Sequence, residues 1–121
     1  MNFAFVFLGG GLGAVARYAI GKLFTSSDNG FPYGTFAANV ISCIILGFLM
    51  SRLLAKDLTV PYQLLLMTGF CGGFSTFSTF SAESFQLIQN GQSGLGILYM
   101  AASILVCLLC IWLGIKMGNW I

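Results

Sequence analysis

The chain contains no histidine, three acidic residues and five basic ones among its 121 positions. Without histidine it lacks the commonest general base and the commonest metal ligand. No aspartate falls inside an apolar stretch and no nucleophile stands beside a base, so the sequence does not read as an enzyme. Lysine and arginine form no cluster able to neutralise phosphates, which excludes nucleic acid as a partner. Charged residues make up 7% of the chain, against roughly 25% in a soluble domain. That scarcity leaves no room for a water-soluble domain.

What fills the chain is apolar: 58% hydrophobic residues and a mean hydropathy of +0.94. A membrane-spanning helix needs about 20 mostly apolar residues, because the hydrocarbon core is about 30 Å thick and a helix rises about 1.5 Å per residue. The length accommodates four such helices with short loops. The expected fold is therefore an all-α integral membrane protein, one transmembrane domain over residues 1–121, with helices near 3–24, 33–54, 62–88 and 95–113.

The first run, Phe3 to Phe24, contains Ala14-Val15-Ala16, which mimics a small-residue signal-peptide cleavage site. Its start carries no basic residue and the run exceeds a normal signal core, so it reads as a retained helix. Thr25 to Pro32, with Asp28, is a turn by composition. Arg52, Lys56 and Asp57 mark the exit of the second helix, and Pro61 opens the third segment. That segment begins as a good helix and then meets Cys71-Gly72-Gly73-Phe74-Ser75-Thr76. Paired glycines and hydroxyl residues weaken a helix there, which predicts a break near 72–78. In lipid, freed backbone groups are tolerated only where protein buries them or a wet cavity solvates them. Gln89 to Gly94 is the next turn, and Trp112 and Trp120 suit the membrane interface.

Several residues need weighing one by one. Cys43, Cys71, Cys107 and Cys110 all fall inside expected helices, and the Cys107-x-x-Cys110 pair has no histidine and no polar setting. All four read as small packing residues. Gly11-Leu12-Gly13-Ala14-Val15-Ala16 fits a dinucleotide fingerprint on paper, but no parallel sheet can be built around it. Gly9 and Gly13 instead make a G-x-x-x-G face for close helix packing. Arg17 either snorkels toward the loop or faces protein and water within the span. Glu83 reads as a carboxylate near an aqueous mouth, since Gln86, Gln89 and Asn90 follow it, with a proton- or cation-binding role as the alternative. Asn39 is packing glue or a pore-lining donor, and it shares a helical face with Ser42 and Cys43. Tyr99, Ser103 and Cys107 recur every four residues as a stripe that is either a seam or a pore wall.

The strongest signal is Phe74-Ser75-Thr76-Phe77-Ser78-Thr79-Phe80-Ser81, where Phe77 and Phe80 are neighbours on a helical turn. With Gly69-Phe70-Cys71-Gly72-Gly73 before it, this stretch resembles the third-helix signature of the Fluc (CrcB) family of fluoride channels. Gly9-Gly10-Gly11-Leu12-Gly13-Ala14-Val15-Ala16-Arg17-Tyr18 and Gly34-Thr35-Phe36-Ala37-Ala38-Asn39 are similar to the family's two other patterns, in the same order. The resemblance covers essentially the whole chain.

The resemblance implies a four-helix subunit that pairs as an antiparallel, dual-topology homodimer in the plasma (inner) membrane, exports fluoride and relieves its toxicity. It implies Phe77 and Phe80 as pore phenylalanines, Asn39 as the pore asparagine, Ser78 and Thr79 as hydroxyls of the break, and Tyr99 and Ser103 as a polar track. It also implies a structural sodium ion at the dimer centre on the backbone carbonyls of Gly72 and Ser75. Ser75 stands where threonine is more usual, and Cys107 where some members carry serine. The charge pattern allows dual topology, because Arg52, Lys56 and Lys116 on one side are nearly balanced by Lys22 and Arg17 on the other. The alternative is a proton-coupled exporter of the small multidrug-resistance type, also of four helices. That class needs a carboxylate in its first helix, and this first helix has none.

Overall fold

The structure is a computed structural model that describes residues 1–24 and 30–121. Most of the turn expected over 25–32, with Asp28, lies outside the described residues. Among the described residues every regular element is a helix. Helix α1 spans Asn2–Leu23. Helix α2 spans Tyr33–Leu54. It ends at Ala55 and a left-handed Lys56 (φ 62°), where Arg52 pairs with Asp57 and donates to the Gly118 carbonyl at 3.1 Å.

The third segment is compound. One turn, Val60–Tyr62, starts with Pro61 in its first positions, where a missing N–H costs nothing. Gln63–Cys71 then winds as a π-helix and Gly72–Phe74 returns to α geometry. Ser75 and Thr76 are extended, with ψ of 155° and 121°, and helix α3 resumes over Phe77–Gln89. Gly72 and Gly73 therefore remain helical, and the break sits just after them at Ser75–Thr76. Glycine entropy does not make it. The Thr76 side chain caps α3 by accepting from the Thr79 N–H at 3.2 Å, and a capping threonine takes extended backbone.

Helix α4 spans Ser93–Asn119, six residues beyond the end expected at Leu113. Lys116 does not stop it, because its ammonium lies 5.6 Å from the Trp112 ring centroid. The long side chain covers apolar surface while its charge stays at the helix end. Among the described residues three helices, α1, α2 and α4, are long and apolar enough to cross a membrane. Their outer faces are greasy: Phe3, Phe7, Leu105 and Leu108 are all well exposed.

Two seams of small residues hold the bundle. On α1, Gly9 and Gly13 press against the third segment. A β-carbon on Gly13 would stand 2.7 Å from the Phe74 nitrogen, and one on Gly9 would stand 2.9 Å from the Phe70 nitrogen. The G-x-x-x-G face is thus a packing face, met by Gly69 and Gly73 at the same spacing. On the other side, Gly47 and Ser51 of α2 meet Gly114 and Gly118 of α4, where a β-carbon on Gly114 would stand 2.8 Å from the Phe48 nitrogen. Without a hydrophobic drive between helices in lipid, such close van der Waals contact is what binds them.

Candidate functional site

The break exposes a local deficit of hydrogen bonds, and nearly every neighbour helps to fill it. The Asn39 side chain reaches across from α2. Its Oδ1 accepts from the Thr76 N–H at 3.0 Å, and its Nδ2 donates to the Thr76 carbonyl at 3.5 Å. The Ser42 hydroxyl donates to the Cys71 carbonyl at 3.3 Å, and the Ser75 hydroxyl donates to the same oxygen at 2.8 Å. Arg17 Nε donates to the Gly73 carbonyl at 3.2 Å. Half-buried Arg17 therefore faces protein at the break, where its charge has a partner.

These bonds leave two carbonyls without their helical donors. In a continuous helix the Gly72 carbonyl would receive the Thr76 N–H, which Asn39 takes. The Ser75 carbonyl would receive the Thr79 N–H, which the Thr76 hydroxyl takes. Hard cations prefer oxygen ligands, and carbonyls freed in this way have the chemistry to hold one. A side-chain metal site is a different matter, since no three residues of the His, Cys, Asp and Glu set gather among the described residues.

Two cavities open at the break, and a third lies at a mouth beside Glu83. One of about 260 Å³ is lined by Asn39, Cys43, Ser75, Thr76, Phe77, Phe80, Ser103, Ile104 and Cys107. It joins Asn39, both phenylalanines and Ser103 of the expected pore set. The Phe77 and Phe80 centroids lie 5.8 Å apart, and Phe77 is 79% exposed. Ser103 is only 6% exposed and its hydroxyl has no hydrogen-bond partner among the described residues. Buried polar atoms are nearly always satisfied, so an orphan lying against a cavity points to a guest that supplies the missing bond.

A second cavity, of about 320 Å³, is lined by Arg17, Tyr18, Lys22, Thr35, Thr76 and Thr79 among others. It is basic and rich in hydroxyls. Thr79 belongs here and not with Phe80. Ser78 lines neither cavity; it is exposed, 3.3 Å from the Thr76 hydroxyl. The third cavity, of about 390 Å³, is a polar mouth lined by Thr35, Glu83, Gln86, Asn90 and Gln92 with aromatic neighbours. Fully buried Tyr99 contacts two of its lining residues, Glu83 and Phe31. Its hydroxyl donates to Glu83 at 3.4 Å, and its ring meets Phe31 and Phe80 at 5.3 and 5.1 Å. Glu83 therefore lies beside polar groups at a mouth.

The helices α2 and α4 that form much of these walls face one another in regular register. Thr35 and Tyr99 both stand by Glu83. Asn39 and Ser103 share the 260 Å³ cavity, as do Cys43 and Cys107, and a β-carbon on Gly47 would strike the Ile111 backbone. Each pair follows the last by four residues on both helices. The stripe of Tyr99, Ser103 and Cys107 is thus one half of a two-sided ladder. Sequence reasoning named that half and missed the role of Thr76 at the break. It also put Cys43 and Cys107 with the packing residues, whereas both line a cavity; Cys71 and Cys110 are the buried ones. Ser42, grouped with Asn39 by spacing, turns away to the Cys71 carbonyl.

Comparison with known proteins agrees with this organisation. Residues 4–115 match the model of the family described as CrcB-like protein, Camphor Resistance (CrcB). A protein of Acidobacterium capsulatum named fluoride-specific ion channel FluC is 42% identical over 121 residues, covering 98% of this chain and 97% of its own. Proteins of the same name from Magnetococcus marinus and Geobacter metallireducens are 40% and 42% identical, covering 100% and 88% of this chain and 100% and 87% of their own. With a helical frame, a broken third segment and full-length likeness all in agreement, the chain belongs to the CrcB family.

Proposed function

We propose that this chain is the subunit of a fluoride-selective channel, not an enzyme, that lets fluoride leave the cell through the plasma membrane. The observation that carries the reading is the 260 Å³ cavity, in which an orphan serine hydroxyl, an asparagine amide and two phenyl rings converge. The names of the relatives support it. Fluoride is small and strongly hydrated, and stripping its water without replacement costs on the order of tens of kcal/mol. Neutral donors can replace that water. Ser103 has an unused O–H, and Asn39 Nδ2 has two N–H groups of which Thr76 uses one. The positive edge of a phenyl ring adds attraction without the grip of a full charge. Conduction needs this middle strength, because an ion held too tightly does not leave.

The remaining residues of the set fall outward from there. Arg17 and Lys22 in the basic cavity attract anions toward Thr79, while Ser78 lies at the exposed lip of the break. Glu83, held by Tyr99 at the polar mouth, belongs to the third segment, whereas the proton-coupled exporter scheme needs a carboxylate within the first helix, which has none. We assign four membrane crossings, with the two halves of the third segment together making one.

The subunit works as an antiparallel homodimer of dual topology. Phe77 and its exposed surroundings would gain a protein neighbour, and the freed carbonyls of Gly72 and Ser75 from two copies would converge on a structural sodium ion at the dimer centre. That ion supplies positive charge that satisfies backbone oxygens which lipid cannot solvate.

Reconstituted liposomes loaded with fluoride test the reading. Efflux measured by a fluoride electrode should proceed without a proton gradient and should exclude chloride. Flux of chloride at a similar rate, or a strict need for a proton gradient, would overturn it. Crosslinking that trapped only parallel pairs would overturn the dimer.

A further inference from the structure

We propose that Cys43 and Cys107 form a two-coordinate site for a soft divalent cation of the mercury(II) type, set into the wall of the 260 Å³ cavity. Both thiols line that cavity, from opposite helices, and they occupy the same step of the four-residue register between α2 and α4. Neither is engaged in a disulfide. One turn further along the same two helices the backbones touch at Gly47 and Ile111. The walls that carry the thiols are therefore fixed in place and cannot drift apart.

The chemistry selects the ion. Thiol sulfur is soft and favours soft metals over sodium, magnesium or calcium. Two of the four cysteines line the cavity, which suits metals that bind linearly and leaves zinc, which takes four ligands, unsatisfied. Each thiol loses its proton as its sulfur–metal bond forms. One dication thus displaces two protons, nothing is oxidised or reduced, and the product is neutral. A neutral product matters in an apolar cavity, where a residual charge carries a heavy desolvation cost. A monovalent soft ion on two thiolates would leave one negative charge. Ser103, whose hydroxyl is unpartnered in the same cavity, is within that space to contact the bound ion.

The test uses the purified full-length protein in detergent, with one equivalent of mercury(II) chloride per subunit followed by excess glutathione. Intact-mass measurement should find one mercury retained with the loss of two protons. Retention should persist in Cys71→Ser and Cys110→Ser and should vanish in Cys43→Ser and in Cys107→Ser. Peptide mapping of the unmutated protein should show mercury protecting Cys43 and Cys107, and no other cysteine, from alkylation; that readout does not depend on any variant folding. Retention by Cys43→Ser or Cys107→Ser, loss in Cys110→Ser, or no retention by the parent would overturn the site.

A flux arm rests on the channel reading: mercury should reduce parental fluoride efflux to that of empty liposomes. A parent that conducts nothing before mercury is added would refute the channel reading and leave the binding result standing. A parent that binds mercury at this pair and conducts unchanged would show that the site lies off the ion path and would refute its placement in a conducting wall.

Discussion

Replacing Ser103 with alanine should move stability and conduction in opposite directions. The side chain is 6% exposed, and its hydroxyl has no partner among the described residues. A buried hydroxyl without a hydrogen bond costs about 1–3 kcal/mol. Alanine removes that polar atom, so the ion-free protein should be as stable or more stable by up to that amount, less the small loss of contact where the oxygen stood. If the hydroxyl donates to a passing anion, the loss is of another kind. A hydrogen bond to a charged group contributes about 1.5–3 kcal/mol. At about 1.4 kcal/mol per factor of ten in rate, flux should fall about ten- to hundredfold. Ser103→Thr, which keeps the hydroxyl, should retain most of the flux. Thermal unfolding followed by size-exclusion chromatography reads the first effect, and fluoride efflux from liposomes reads the second. A lower melting temperature for the alanine variant would mean the hydroxyl has a partner inside the protein. An unchanged flux would mean it is not on the path, and the reasoning would fail.

Phe77→Ile and Phe80→Ile keep bulk and lose the ring quadrupole, so each should strongly reduce fluoride efflux while the protein still elutes folded, as the parent does; parental flux in both would make the rings ordinary packing. Asn39→Asp keeps the acceptor for the Thr76 N–H but removes both amide donors and adds negative charge to an anion path, so its efflux should fall below that of either phenylalanine variant. Glu83→Gln can still accept from Tyr99 and should leave substantial flux with no dependence on a proton gradient; abolished transport would revive the exporter scheme. Gly13→Val places branched carbons against the Phe74 and Gly73 backbone, neither of which can turn aside, so folded protein should be lost by size-exclusion analysis, whereas Gly11→Val, with open space around it, should fold.

Much of the frame was legible because lipid imposes it. Long apolar runs ended by Arg52, Lys56 and Asp57, or by turn residues, leave few alternatives to helices. The π-helical stretch over Gln63–Cys71 left no trace in composition. Its hydrogen-bond register is set against the glycine face of α1, a tertiary effect that no local propensity encodes. The break was legible in region and misread in cause, since its decisive bonds come from Asn39 and Arg17, 37 and 56 residues away. Asn39, Phe77, Phe80 and Ser103 could be named from residue chemistry. Their separation from Thr79 in a second cavity, Ser78 at an exposed position and Tyr99 beside Glu83 could not, because a cavity belongs to the pairing of two helices and the sequence shows each helix alone. For the same reason the facing of Cys43 and Cys107 was invisible.

The register between α2 and α4 has an electrostatic consequence. Pairs that recur every four residues on α-helices stand about 6 Å apart along the axis, at about 1.5 Å per residue. Two anions resting beside successive pairs would repel by about 3 kcal/mol at an effective dielectric constant of about 20. That repulsion would hasten departure of the first about a hundredfold as the second arrives. The contact at Gly47 keeps this spacing from relaxing, so the wall cannot yield to the crowding and the ions must. Geometry alone would then let the same ladder bind an ion well when singly occupied and release it readily when doubly occupied, without any part of the protein moving.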